Sequence, residues 1–108
     1  MNFKFWKRIG GVSPPEEYLL NIRNKQEKDD IHDKLKIIQR QGMEKSKDEY
    51  KVICFSKKES IYQLNKKRHR VLFILRENIG WICDAFLKRS REDEQKHYKL
   101  VYKRAKNI

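Results

Sequence analysis

The side chains with the most chemical reach in this sequence are a few cations and two imidazoles. Arg70 opens the most apolar run of the chain, Val71 to Leu75, and Lys88 follows another that begins at Trp81. Cations at such positions can hold a phosphate, Arg by two parallel hydrogen bonds and Lys as a point charge. Displacement at a phosphate without a metal needs a deprotonated nucleophile, a stabilised phosphorane and a protonated leaving oxygen. Fixed positive charge at the phosphorane is often the largest single contribution. His69 and His97, with His32, are the only side chains whose ordinary pKa is near neutral. They are therefore the candidates for proton transfer. The plain alternatives are a solvated strand end for Arg70 and surface hydrogen-bonding roles for the imidazoles.

Around this set lie Lys57, Lys58, Lys66, Lys67, Arg68, Arg89 and Arg91. They read either as solubilising loop tips or as a track for a nucleic-acid backbone. Side chains alternate between faces along a strand, so Lys88 and Arg89 should diverge, Lys88 toward a site on the sheet and Arg89 toward substrate backbone. Asp84 is expected to share a strand face with Ile82 and Phe86; once buried it needs a cation, for which Arg70 or Lys88 is the natural choice. His32 stands among Asp29, Asp30 and Asp33, but acids near a helix start match the helix dipole, and no second His or Cys lies at ligand spacing. No metal site and no cofactor are expected. Tyr62, Trp81, Tyr98 and Tyr102 read as core first and base-stacking platforms second.

The charge balance limits the partner. Lys and Arg number 27 against 15 Asp and Glu, a net charge of +12. Residues 1–49 hold 11 basic and 9 acidic side chains, and residues 50–108 hold 16 and 6. The C-terminal half is where an anion would go. Cys54 and Cys83 sit inside apolar segments and read as small buried thiols of a reducing compartment. No run reaches the roughly 18 apolar residues of a membrane span. The expectation is one domain over residues 1–108 in the cytoplasm, with no membrane partner.

These residues need elements to carry them. Phe3 to Lys7 reads as a strand, and Ser13-Pro14-Pro15-Glu16 as a capping box opening a helix to about Asn24. A second helix should run from Gln26 to Gln41, stopped by Gly42. Four strands follow, at Tyr50–Phe55, Ser60–Leu64, Arg70–Arg76 and Trp81–Leu87, joined closely enough to be hairpins. Ser90 caps a terminal helix bearing Tyr98, Val101, Tyr102 and Ala105. The order β-α-α-β-β-β-β-α predicts an α+β fold: a twisted, largely antiparallel sheet with helices on one face and the other face available.

The same residues carry a resemblance. Phe5-Trp6 followed by Ser13-Pro14-Pro15-Glu16-Glu17-Tyr18-Leu19 resembles the opening of the RelE/HigB-like toxins of bacterial and phage type II toxin–antitoxin modules. Ile61-Tyr62-Gln63-Leu64, Arg70-Val71-Leu72-Phe73 and Ala85-Phe86-Leu87-Lys88-Arg89-Ser90 resemble that family's later motifs in order and spacing. The chain departs from the pattern at Asn65, His69 and Asp84, and at Asp93-Glu94 after the cations.

The resemblance implies a RelE-like fold and an endoribonuclease that cleaves mRNA, often on the ribosome. It implies neutralisation by a cognate antitoxin of helix-turn-helix type, and contact with operator DNA only through that antitoxin. Arg70 and Lys88 would stabilise the phosphorane, with His69 or His97 moving protons. Two rivals stand beside it. One is a ParE-like toxin or phage inhibitor acting on a host protein such as DNA gyrase; the other is a basic nucleic-acid-binding protein without catalysis.

Overall fold

A computed structural model describes residues 1–108. The elements are β1 (Asn2–Phe5), α1 (Pro14–Leu20), α2 (Lys25–Gln41), a 3-10 segment (Glu44–Glu49), β2 (Lys51–Ile53), β3 (Ile61–Lys66), β4 (His69–Arg76), β5 (Ile79–Leu87) and α3 (Arg91–Ala105). Together they form an α+β fold around a five-stranded mixed sheet of order β1-β5-β4-β3-β2. β2 through β5 pair antiparallel, and β1 joins the far edge parallel to β5.

Local chemistry explains most boundaries. Ser13 accepts from the Glu16 backbone N–H and donates to the Trp6 carbonyl at 2.7 Å, so one hydroxyl starts α1 and ties it to the end of β1. α1 ends at Leu20, short of the expected Asn24, because Asn24 serves the next helix instead. Its side chain accepts from Glu27 N at 3.0 Å and caps α2. Gly42, at φ +84°, stops α2 in a conformation that other residues rarely adopt. The loop expected at residues 77–80 is only the two-residue turn Glu77-Asn78, both at positive φ, as the twist of a tight hairpin requires. Ile79 and Gly80 extend β5 and pair with Asn2 and Phe3.

Helices cover both faces of the sheet, which corrects the expected open face. On β4, alternate residues point in opposite directions. Val71 and Phe73 pack with Leu19, Ile31, Leu35 and Ile38 of α1 and α2. Leu72 and Ile74 pack with Tyr98, Val101, Tyr102 and Ala105 of α3 on the other side. Cys83 lies fully buried in the second layer, whereas Cys54 is exposed, contrary to expectation, because β2 ends one residue before it. No helix is long and apolar enough to cross a membrane.

Candidate functional site

The strand pattern separates the candidate residues before any contact is considered. His69 and Arg70 are neighbours on β4, so they face opposite layers. On β5 the alternation is broken: Leu72 pairs with Asp84 while Phe73 pairs with Ile82, leaving Cys83 as an extra residue, a β-bulge. Asp84 keeps the face it was expected to share with Phe86, on the α3 side, while the bulge puts Cys83 on that side too and leaves Ile82 in the α1/α2 layer. The expected shared face of Ile82 and Asp84 does not form.

Arg70, Lys88 and the first turns of α3 meet on that side. Ser90 caps α3 by accepting from Asp93 N at 3.1 Å, which brings Glu94 into the layer. Its carboxylate lies 3.4 Å from Arg70 Nε and 3.3 Å from Lys88 Nζ. The Arg70 side chain is only 11% exposed, as is Glu94, whereas Lys88 is 38% exposed. Arg70 Nη1 donates to the carbonyls of Lys67 and His69 at 2.8 and 3.0 Å, which fixes the guanidinium plane. Its Nε–H is buried and finds no aligned acceptor. Glu94 is near enough to be an ion partner by distance, but the N–H does not point along the line to its oxygen, so the contact is electrostatic and the donor stays unsatisfied.

One turn along α3, His97 meets Asp84. Nδ1 lies 2.5 Å from Asp84 Oδ2, and the imidazole lies flat on Phe86, with centroids 3.6 Å apart and planes within 1°. An ionised carboxylate only accepts, so Nδ1 carries a proton in this contact, and in the neutral ring the lone pair is on Nε2. Nε2 has only the Asp93 carboxylate at 3.7 Å, beyond hydrogen-bond length, and the side chain is 24% exposed. Asp84 is held in turn by the Ala85 N–H at 2.9 Å and by Arg104 at 3.5 Å. The expected partners of Asp84, Arg70 and Lys88, are instead taken by Glu94. Arg104 donates to the Cys83 carbonyl at 2.6 Å and stacks over Trp6, and burial pushes its pKa down. Tyr98 donates to Gln63 at 2.7 Å beneath the cluster; its pKa is raised by burial and then by the Glu94 charge.

His69 is held away from this group. Its Nε2–H donates to Glu27 at 3.0 Å and its Nδ1 accepts from Tyr18 O–H at 2.6 Å, so neither nitrogen is free. The contacts join α1 and α2 to β4. His69 is thus a staple of the opposite layer, and the pairing of His69 with Arg70 at one site is corrected.

The remaining cations also divide. The two-residue β3–β4 turn carries Lys67 and Arg68, and the Arg68 carbonyl accepts from Lys88 N at 2.7 Å, so Lys67, Arg68, Lys88, Arg89 and Arg91 gather at one end of the sheet. Lys66 is at that end too, paired with Asp30 at 2.7 Å. Lys57 and Lys58 precede β3 and therefore lie at its opposite end, about 20 Å away at the usual rise per residue. They therefore do not form one continuous track with the Lys66-Lys67-Arg68 loop.

Glu94 and Arg104 were absent from the sequence expectation. A signal for Glu94 was present: it stands three residues before His97 and four before Tyr98, the spacing of one helix face. Arg104 had none, because the bulge that gives it a carboxylate is not visible in the sequence.

Chemically, the arrangement offers a carboxylate-oriented imidazole with one free nitrogen, a rigid buried guanidinium with an unsatisfied donor and a half-exposed ammonium. No protein-family model and no curated protein matches this chain.

Proposed function

We propose that this chain is an endoribonuclease toxin of the RelE/HigB kind, acting on mRNA at the ribosome and held in check by a cognate antitoxin. The β-α-α-β-β-β-β-α order and the mixed sheet are compatible with a RelE-like topology. The observation that carries the reading is Arg70: a buried, immobilised guanidinium whose Nε–H lacks an aligned acceptor, beside Lys88 and the His97–Asp84 pair. Unsatisfied buried donors are costly, and one held among cations suits an anion that arrives with its ligand.

In this reading His97 Nε2 takes the 2′-hydroxyl proton while Asp84 stabilises the imidazolium that results. The 2′-oxygen attacks phosphorus, and Arg70 and Lys88 balance the charge that grows on the phosphorane oxygens. The leaving 5′-oxygen takes a proton from water and departs as a hydroxyl, the other fragment ends in a 2′,3′-cyclic phosphate, and the imidazolium returns its proton to solvent. Lys67, Arg68, Arg89 and Arg91 surround the same end of the sheet and position backbone phosphates. For the resting protein, Glu94 occupies the place of the phosphate and must give way to it.

A second reading follows from Glu94 and from Asn65, which stands where the family motif has arginine: a cluster neutralised by its own carboxylate could serve to bind a host protein such as gyrase. Primer extension on total mRNA after induction separates the two. New 5′ ends that vanish with Arg70→Ala/Lys88→Ala, in a variant that retains its circular dichroism, support the nuclease. Intact transcripts with damaged DNA support the gyrase-directed alternative.

A further inference from the structure

The far end of α3 presents a second basic feature. Lys99, Lys103 and Lys106 recur at helical spacing and, with Lys58 from the connection before β3, surround a groove of about 470 Å³ lined also by Phe55 and Tyr102. Phe55 stacks on Tyr102, with centroids 6.4 Å apart and planes 24° apart, and Lys58 stands 5.7 Å over the Tyr102 ring. No carboxylate lines the groove. The chain's lysine ion pairs involve Lys34, Lys47, Lys66 and Lys88, so none of the four lysines around the groove has one.

Four converging ammonium groups without an anion repel one another, and this cost has only a partial local remedy. The negative end of α3 helps Lys103 in its last turn and Lys106 at its C-cap, but not Lys99, one turn earlier, or Lys58, on another element. What they complement is a flexible polyanion that carries flat apolar rings. Phosphates can meet the lysines while a base lies on Phe55, the half-buried ring of the pair.

We propose that this groove is a docking site for single-stranded RNA, distinct from the cluster around Arg70. RNA as the polymer rests on the ribonuclease reading. Along the helix axis, Glu94 and Lys106 are separated by about 18 Å. At 100° per residue the three lysines lie about 180–240° round α3 from His97, so a strand seated in the groove docks on the flank of the helix away from the imidazole, and the groove sets how RNA is held rather than how it is cut.

The test is fluorescence anisotropy with a short labelled oligouridylate, titrated at several salt concentrations. Lys99→Gln/Lys103→Gln/Lys106→Gln should weaken binding at least tenfold and flatten the salt slope by about 2, since each phosphate no longer neutralised removes roughly 0.7. Phe55→Leu should weaken it by about tenfold with the slope unchanged. A control, Lys25→Gln/Lys36→Gln/Lys45→Gln, removes equal charge from the α2 side and should change affinity less than about twofold. Equal losses in both triple variants, unchanged binding in the groove variant, or a response to phosphatidylserine vesicles but not to the oligonucleotide would each overturn the proposal. Binding lost with the groove variant while the parent cleaves no RNA leaves the groove standing and sinks the ribonuclease reading.

Discussion

Glu94 reaches from α3 to Arg70 on β4, its Oε2 3.4 Å from Nε, while its other oxygen lies 3.3 Å from Lys88. One carboxylate from the helix is thereby shared between two cations, one negative charge against two positive. Replacing it with the neutral isostere separates what it does for folding from what it does against a ligand. Glu94→Gln should cost about 1–3 kcal/mol of stability, read as a lowered urea midpoint. It should also tighten RNA binding several-fold, because the incoming phosphate no longer competes with a resident anion. Weaker RNA binding in this variant would show that Glu94 aids the ligand.

The Asp84–His97 pair predicts a kinetic signature. Asp84→Asn places an amide where the imidazole needs an acceptor, and cleavage should fall by roughly 10²–10⁴ with oligonucleotide affinity nearly unchanged. A loss confined to affinity would assign Asp84 a structural role instead.

For His69 the expectation is the reverse. His69→Phe leaves Tyr18 and Glu27 without their shared partner, at a cost of about 2 kcal/mol. The melting temperature should drop by roughly 10 °C for a domain of this size. Cleavage per folded molecule should be unaltered, and a large fall in turnover at full folding would return His69 to the site.

Burial drives the Cys83 thiol from an ordinary 9.0 up to about 12. The unfolded chain therefore releases this proton first, and folding stability is intact below about pH 9 and declines as pH rises toward 12, by at most about 1.4 kcal/mol per pH unit within that window. Tyr98, also raised by burial, adds a decline in the same direction above its ordinary 10.0. Urea midpoints measured across the alkaline range should fall more steeply for the parent than for Cys83→Ala. Native protein near neutrality should label with a thiol reagent at exposed Cys54 alone.

Gly80 provides a packing test remote from the site. A Cβ there would stand 2.5 Å from the Phe3 ring and 2.9 Å from the Met1 methyl. Gly80→Ala should destabilise the β1–β5 edge by about 1–3 kcal/mol, and Phe3→Leu in the same chain should recover part of it. Additive losses in the double variant would show that the ring is not the obstacle.

Whether a feature is legible in the sequence depends on whether its signal is local. Ser13 and Ser90 announce their helices because a cap acts within four residues. Asn24 reads as the end of α1 although its side chain begins α2, since the two roles look alike without coordinates. The separation of Lys57-Lys58 from Lys66-Lys67-Arg68 is derivable from antiparallel order alone, because successive connections of a meander lie at opposite ends. Adjacent His69 and Arg70 on a strand likewise have to diverge. Nothing local marks the bulge at Cys83, and so neither the departure of Ile82 from the face of Asp84 nor the meeting of Asp84 with His97 and Arg104 can be foreseen.

That bulge divides β5 into stretches that differ in their response to a change of length. Removing Cys83 itself would restore strict alternation while Ile82 stays opposite Phe73 and Asp84 opposite Leu72, so both side chains would keep their layers. Removing Ala85 would instead turn Asp84 over relative to Phe86, and its carboxylate would face the aliphatic layer under α1 and α2. Every side chain that the site needs would still be present in the sequence. The pairing of Asp84 with His97 is thus encoded by the count of residues between Asp84 and Phe86, and a single-codon deletion there is the change to which it is most exposed.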